Sequence, residues 1–191
     1  MKSKNRKPVY RGIVVFDLDG VLADFEGAFC EAFGYDNRHE YQLGKRYPEH
    51  ADTVSGWVQE PKNYAELAPI FGGVMWMNQV MSLGFYTAIV TARPTSLKEV
   101  TENWLNKYNI RPHKVVHSTI KAAAIKEMVE ELDLPTTLFV DDNIHQLSLV
   151  RDEMPWIECV AWEQPWNTGW MPRAHYDDKS YKIMVADRRK E

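Results

Sequence analysis

The chain has 191 residues, of which 45% are hydrophobic and 12% aromatic, so it can bury a full core in one domain that carries one sizeable insertion. Its formal net charge of -4 disfavours a surface built to coat nucleic acid, although a small anionic substrate needs only a locally positive pocket. The basic segment 1–7 precedes too short an apolar run for a secretory signal, and no stretch reaches the ~18 apolar residues of a membrane span. These features predict a soluble, cytoplasmic protein that does not bind membranes.

Short apolar runs rich in β-branched residues alternate with helical patterns along the chain. Strands are predicted at 13–16, 85–90, 114–117, 137–140 and 157–161. Helices are predicted at 73–83, with Gly84 as the C-cap, at 119–132 and at 144–152. A further helix is predicted to begin at a capping box formed by residues 96–99. Parallel neighbours need crossover connections, so this alternation predicts an α/β, doubly wound, mainly parallel five-stranded Rossmann-like sheet.

Residues 23–69 interrupt this alternation, because they are rich in aromatic and charged residues and contain no clear strand. They predict a small helical cap over the carboxyl edge of the sheet, with 1–22 and 70–191 forming the core. Phe29, Phe33 and Tyr35 are expected to pack inside the cap. The tail 177–191 is charged and is expected to be loosely held. Cys30 and Cys159 fit neither a disulfide framework nor a zinc motif and are expected to be buried apolar residues.

The segment Asp17-Leu18-Asp19-Gly20 directly follows the first predicted strand. A turn at that point can bring the two carboxylates side by side, and Gly20 makes the turn sterically easy. A calcium loop is excluded, because the position that needs a bidentate Glu is occupied by Ala28. A solvated acidic turn remains the alternative.

Two further signals suit the binding of phosphate. Thr91 and Ala92 end the second strand, where a hydroxyl and freed backbone amides can donate to phosphate oxygens. Lys121 falls in the first turn of its predicted helix, where the helix dipole disfavours a cation unless an anion is held there. The alternatives are a strand that ends at a threonine and a solvated surface lysine.

Asp141 and Asp142 follow the fourth predicted strand as adjacent carboxylates. Like charges this close repel each other unless they are solvated or bound to a cation. Together with Asp17 and Asp19 they predict an oxygen-rich site suited to Mg²⁺, and a solvated acidic turn is the alternative for the pair by itself.

In this order the four motifs resemble those of the haloacid dehalogenase superfamily of phosphotransferases, over residues 12–167. The resemblance implies that the first and fourth strands are neighbours, which places Asp17 beside Asp141 and Asp142 at the topological switch point. It also implies a role for each site residue. Asp17 is the nucleophile that forms an aspartyl-phosphate, Asp19 is the general acid and base, and Thr91, the Ala92 amide and Lys121 hold the phosphoryl oxygens. Mg²⁺ binds Asp17, the Asp19 carbonyl and one of Asp141 and Asp142, with Asp142 favoured.

Residues 17–29 are similar, more narrowly, to the opening of the 5'(3')-deoxyribonucleotidases, and Trp57, 66–69, 73–74 and 164–167 extend the similarity. This implies hydrolysis of a (deoxy)nucleoside monophosphate, with Phe25 and Trp57 stacking on the base and Arg93 contacting the substrate. The chain departs from the usual Thr-Ser-Pro after the second strand, since it has Thr91-Ala92-Arg93-Pro94 and therefore lacks the serine hydroxyl.

Other functions share these motifs. A polynucleotide 3'-phosphatase is disfavoured by the acidic net charge, and a silent nucleotide-binding protein by the intact Asp17, Asp19 and Lys121. A sugar or cofactor phosphatase stays open. Trp166 and Trp170 are expected to lie at a homodimer interface or at the edge of the core.

Overall fold

Seven strands form a single sheet in the computed structural model, which describes residues 9–34, 37–170, 172–180 and 182–186. They are β1 (Ile13–Phe16), β2 (Tyr86–Thr91), β3 (Lys114–His117), β4 (Thr136–Asp141), β5 (Glu158–Trp162), β6 (Arg173–Asp177) and β7 (Lys182–Ala186). The spatial order is β3-β2-β1-β4-β5-β6-β7, and every neighbouring pair is parallel except β6 with β7. The predicted doubly wound α/β class is confirmed.

Eight α-helices surround this sheet within the described residues. They are α1 (Phe25–Phe33), α2 (Leu43–Arg46), α3 (Ala51–Gln59), α4 (Pro61–Ala65), α5 (Phe71–Ser82), α6 (Lys98–Lys107), α7 (Lys121–Leu132) and α8 (Ile144–Glu153). Short 3₁₀ turns lie at Pro48–His50 and Thr95–Leu97.

Both faces of the sheet are covered, because successive side chains of a strand point to opposite faces. On β1, Val14 and Phe16 join one buried cluster, whereas Ile13 and Val15 join another. Helices α5 and α6 contribute to the first cluster, and α7 and α8 to the second. The strands therefore read as continuous apolar runs rather than as alternating ones.

The prediction of five strands was wrong, since β6 and β7 extend the sheet. Ala174 of β6 is fully buried, and the strand pairs with β5 through Ala161 and Trp162. The tail 177–191 was expected to be loosely held, but its residues Lys182–Ala186 form β7. Residues 187–191 lie outside the described part of the chain. The strand pair has a weak sequence signal, because β6 mixes charged with apolar residues and β7 leaves Met184 and Val185 exposed.

The capping prediction for α6 was also wrong. The helix follows the 3₁₀ turn Thr95–Leu97, and its N-cap residue, Leu97, provides no side-chain hydrogen bond. The next helix, predicted from 119, begins only at Lys121, and Ser118 before it accepts a hydrogen bond from the Ile120 amide at 3.1 Å. Lys121 is thus the first residue of its helix.

The helices α1–α4 lie between β1 and α5, where a helical insertion was expected. Phe29, Tyr47 and Val54 form a buried cluster of their own there, with Phe33 packed against them, whereas Tyr35 lies outside the described residues. The two ends of the segment are joined by hydrogen bonds of 2.8 Å, from the Asp24 amide to the Ala68 carbonyl and from the Ile70 amide to the Leu22 carbonyl. The division into a core and a cap at 23–69 stays a prediction.

Both cysteines are free and buried, as expected from the sequence. Among the described residues, the helices are too short or too polar for any of them to cross a membrane.

Candidate active site

Three carboxylates meet at the carboxyl edge of the sheet. Strand β1 pairs with β4 in the register Phe16 to Val140, so Asp17 emerges beside Asp141 and Asp142, and the Asp17 amide donates to the Val140 carbonyl at 2.8 Å. One oxygen from each carboxylate lies within 4.8 Å of the others, and all three residues are buried. The expected neighbourhood of these residues is confirmed by the strand order.

The turn after Asp17 leaves room for Asp142. The amides of Val21, Leu22 and Ala23 converge on the Leu18 carbonyl, which closes the turn. Gly20 has φ +80°, and a Cβ atom there would lie 2.5 Å from Asp142 Oδ2. Glycine is needed for the backbone conformation and for the space that the carboxylate occupies.

Lys121 places its ammonium group among these carboxylates. Its Nζ lies 2.7 Å from Asp17 Oδ1 and 2.7 Å from Asp141 Oδ2, and its side chain is buried. Only the contact with Asp141 has hydrogen-bond geometry, so Asp17 Oδ1 has no hydrogen-bond partner among the described residues. Lys121 is thus the cation at the floor of the site, where it is ion-paired with both Asp17 and Asp141.

The protonation equilibria of the site reflect this crowding. Burial raises the pKa of Asp17 to about 7, with Lys121 opposing the shift and Asp141 adding to it. Burial, together with the charges of Asp141 and Asp17, also holds the pKa of Asp142 well above its ordinary value. For Lys121, burial lowers the pKa, but the charges of Asp141 and Asp17 outweigh it and raise the pKa overall. Three carboxylates share one ammonium, so the site has an excess of negative charge.

The donor set fits a hard cation such as Mg²⁺, which prefers carboxylate oxygens. Asp141 has both oxygens occupied, because Oδ2 accepts from Lys121 and Oδ1 accepts from the Asn143 amide at 2.8 Å. Within the described part of the chain, no hydrogen bond or ion pair reaches the Asp142 carboxylate. Asp17 and Asp142 line the cavity, which leaves their oxygens as the ones suited to an ion.

Asp19 lies in the same cavity but is paired with an arginine. Arg93 Nε donates to Asp19 Oδ2 at 2.8 Å, and Arg93 Nη2 donates to Asp19 Oδ1 at 2.6 Å. Arg93 was expected to contact substrate, and it does line the cavity, yet both of these donors are taken by Asp19. The metal role expected for Asp19 concerned its backbone carbonyl, and its carboxylate is engaged by Arg93.

The cavity above these residues has a volume of about 340 Å³. Its floor comes from strand ends and the start of α7: Asp17, Asp19, Thr91, Ala92, Lys121 and Asp142. Its walls come mostly from the helical segment after β1: Phe25, Glu26, Tyr41, Arg46, Tyr64, with Trp166 from the loop after β5. Thr91 Oγ1 accepts from the Arg93 amide at 3.2 Å, so the Thr91 hydroxyl hydrogen is free to donate to a ligand.

The aromatic residues expected at the site divide into two groups. Phe25 lines the cavity, but Trp57 is not among the lining residues and instead packs edge-on against Phe25 and Phe29, with ring centroids 5.4 and 5.2 Å apart. Trp166 also lines the cavity, whereas Trp170 packs against the second core cluster.

Sequence reasoning missed Tyr41 and Tyr64 as cavity residues, along with the buried pair of Arg46 and Glu26 at 2.7 Å. Glu26 could have been predicted as a site residue, because it lies within residues 17–29, the segment that resembles the 5'(3')-deoxyribonucleotidases.

A doubly wound sheet with this carboxylate cluster at its switch point defines a protein with the haloacid dehalogenase fold. An L-2-haloacid dehalogenase from Xanthobacter autotrophicus superposes with a TM-score of 0.53 at 11% identity, over 81% of this chain and 78% of that chain. A "predicted phosphatase" from Clostridium acetobutylicum superposes with a TM-score of 0.55 at 14% identity, over 80% and 85%. At these identities the likeness shows the fold.

The sequence profile of the family "5' nucleotidase, deoxy (Pyrimidine), cytosolic type C protein" matches residues 11–151. The chain belongs to this family and is a phosphatase of the haloacid dehalogenase type, a phosphoric monoester hydrolase. No curated protein matches the sequence directly.

Proposed function

We propose that the protein is a Mg²⁺-dependent nucleotidase that hydrolyses (deoxy)nucleoside monophosphates by phosphoryl transfer to Asp17. One observation carries the proposal: the buried Asp17 carboxylate lies beside Asp142, with its Oδ1 2.7 Å from Lys121 Nζ, at the floor of a cavity of about 340 Å³. That volume lies within the range of small-molecule sites.

Asp17 and Asp142 would hold the ion, with Asp141 acting behind them through Lys121 and the Asn143 amide. When bound, Mg²⁺ supplies the positive charge that lets an anionic phosphoryl group approach the carboxylates.

The residues of the chain then divide the reaction into two transfers. In the first, an Asp17 oxygen attacks phosphorus, the bond from phosphorus to the leaving oxygen breaks, and Asp19, which must have taken up a proton from solvent before this step, gives that proton to the leaving oxygen. In the second, Asp19 takes a proton from water, the water oxygen attacks phosphorus, and the bond to Asp17 breaks to release phosphate.

Lys121, the Thr91 hydroxyl and the Ala92 amide, all from residues that line the cavity, would hold the phosphoryl oxygens during both transfers. Preorganised donors of this kind contribute roughly 3–4 kcal/mol each at a developing charge.

The segment 23–69 would serve as the cap that recognises the leaving group and excludes water. Phe25, Tyr41, Tyr64 and Trp166 give the cavity aromatic walls. Stacking on a nucleobase is worth roughly 1–3 kcal/mol and tolerates different bases. The family description supports a pyrimidine deoxynucleotide as the preferred substrate and the cytoplasm as the place of action.

The proposal is tested by a phosphate-release screen with and without Mg²⁺. The substrates are 5'- and 3'-monophosphates of ribo- and deoxynucleosides, sugar phosphates and 3'-phosphorylated oligonucleotides. Wild type should release phosphate from mononucleotides, most readily from pyrimidine deoxynucleotides, and only with Mg²⁺. Asp17→Asn should be inactive, whereas Asp152→Asn, an exposed position at the end of α8, should match wild type.

Two outcomes would count against the proposal in different ways. Equal release by wild type and Asp17→Asn would remove the mechanism. Hydrolysis of oligonucleotides or sugar phosphates alone would remove the nucleotidase assignment and leave the phosphoryl transfer intact.

A further inference from the structure

We infer that Arg93 is a positioning residue that fixes the Asp19 carboxylate for catalysis and does not bind the substrate. The inference rests on the proposed function, because it assigns Asp19 the acid and base role in that reaction. Its basis is the pairing of two residues that lie 74 positions apart in the chain and line the same cavity.

The contact between the two side chains is bidentate. Arg93 Nε and Nη2 each reach a different oxygen of Asp19, at 2.8 and 2.6 Å. A planar guanidinium that holds both oxygens fixes the rotation of the carboxylate as well as its position, which a single ammonium cannot do.

The arginine lines the same cavity, but its side chain is far less accessible than the carboxylate that it holds. The side chain of Arg93 is 1% exposed, whereas that of Asp19 is 23% exposed. Each carboxylate oxygen can accept more than one hydrogen bond, so the partly exposed Asp19 keeps lone pairs for a substrate while Arg93 holds both of its oxygens.

The guanidinium is itself held from two further directions. Nη1 donates to Thr101 Oγ1 at 3.3 Å, and the ring of Tyr64 lies over the guanidinium with 4.7 Å between Cζ and the ring centroid. The backbone is fixed as well, because the Arg93 amide donates to Thr91 Oγ1 at 3.2 Å. Any movement of the guanidinium toward a phosphoryl group would break its contacts with Asp19, Thr101 and Tyr64.

Loss of this contact should slow the step that needs a well-placed base. A displacement of about 1 Å at a catalytic group can cost about 100-fold in rate. Because Asp19 serves both transfers of a mononucleotide, we expect Arg93→Gln to lower kcat for that substrate by about 10- to 100-fold while KM stays within about 3-fold. Arg93→Lys should recover only part of the loss, since it restores the charge but not the bidentate contact.

The test uses p-nitrophenyl phosphate, whose leaving group departs without a proton, so that Asp19 is needed only for hydrolysis of the phosphorylated enzyme. Arg93→Gln and Asp19→Asn should each give a rapid burst of p-nitrophenol, close to one equivalent per enzyme, followed by slow turnover. A double-mutant cycle completes the test: in the Asp19→Asn background, Arg93→Gln should change turnover by less than about 2-fold. Inorganic phosphate should inhibit wild type and Arg93→Gln with constants within about 3-fold of each other.

Several results would overturn the inference. One is a KM and a phosphate inhibition constant that both rise about 10-fold or more with kcat retained, which would make Arg93 a substrate ligand. Another is an equal loss of turnover in the wild-type and Asp19→Asn backgrounds, or a lower kcat without a burst. Circular dichroism checks that each variant folds. If Arg93→Gln does not fold, the same double-mutant cycle is run with Arg93→Lys. Additive losses of turnover from Arg93→Lys and Asp19→Asn would then refute the inference. Wild-type turnover by Asp17→Asn would instead refute the proposed function.

Discussion

Substitution of Gly20 offers a direct way to displace one carboxylate of the site without changing its chemistry. A Cβ atom at Gly20 would lie 2.5 Å from Asp142 Oδ2 and 2.7 Å from its Cγ, whereas ordinary contacts begin at 3.4 Å. The carboxylate must therefore move by about 1 Å, and Mg²⁺ accepts little departure from ligand distances of ~2.0–2.1 Å. We expect Gly20→Ala to raise the Mg²⁺ concentration that gives half-maximal phosphate release by about 10-fold or more.

Gly84→Ala is the matched control. Gly84 has φ +86°, close to the +80° of Gly20, but a Cβ atom there would meet nothing within 4 Å. Both variants should lose roughly 1–2 kcal/mol of unfolding free energy, because each forces a side chain into the left-handed region. Only Gly20→Ala should also lose Mg²⁺ affinity.

The assay combines urea unfolding with Mg²⁺ titration of phosphate release for wild type and both variants. If Gly20→Ala and Gly84→Ala required the same Mg²⁺ concentration, displacement of Asp142 would have no effect on the ion. In that case Asp142 could not be assigned as a metal ligand.

Three further outcomes are expected. Lys121→Met should lower the unfolding free energy by roughly 3–5 kcal/mol and abolish phosphate release, because it leaves buried carboxylates without their cation. Lys126→Met, on the exposed face of α7, should do neither. Equal urea midpoints for the two variants would refute this prediction. Since the folded-state pKa of Asp17 is raised to about 7 from 3.8, its contribution to the stability of the metal-free protein should fall as pH rises between about 4 and about 7. Mg²⁺ should therefore raise the urea midpoint more at about pH 7.5 than at about pH 5, and Asp17→Asn should remove most of that difference. Phe25→Ala should raise KM for a mononucleotide about 10-fold, because Phe25 lines the cavity. Trp57→Leu should mainly lower the melting temperature, because Trp57 packs against Phe25. A KM effect confined to the Trp57 variant would instead assign base stacking to Trp57.

The sheet core and the carboxylate cluster could be predicted because their signals are local and strong. Strands β1, β2 and β4 are buried on both faces, which produces unbroken apolar runs, and each is followed by polar residues at the sheet edge. The neighbourhood of Asp17 and Asp141 required the strand order, which no local pattern contains and which the family resemblance supplied. Strand β7 escaped detection because a short exposed edge strand has no buried face to impose a pattern.

The walls of the cavity could not be predicted for a different reason. Trp57 and Tyr41 both belong to an aromatic-rich segment, and only the packing of α1 against α3 decides that Trp57 faces other aromatic rings while Tyr41 lines the cavity. The pairing of Arg93 with Asp19 depends likewise on contacts between different strand ends. Local sequence specifies which chemical groups are present, but it does not specify which of them meet.

The charges at the floor of the cavity explain why a metal ion and a phosphoryl group should bind together. Asp19 and Arg93 neutralise each other, so the remaining imbalance is that of Asp17, Asp141 and Asp142 against Lys121 alone. In the metal-free protein, burial is the largest cause of the raised pKa values of Asp17 and Asp142, and the neighbouring carboxylates raise them further, so protons offset part of this imbalance. A divalent cation would displace those protons and leave the floor close to neutral, so that a phosphate dianion meets the Lys121 ammonium, the Thr91 hydroxyl and the Ala92 amide without net repulsion. Binding of inorganic phosphate should therefore be weak without Mg²⁺ and should tighten as Mg²⁺ saturates, and phosphate affinity independent of Mg²⁺ in calorimetric titrations would contradict this charge balance.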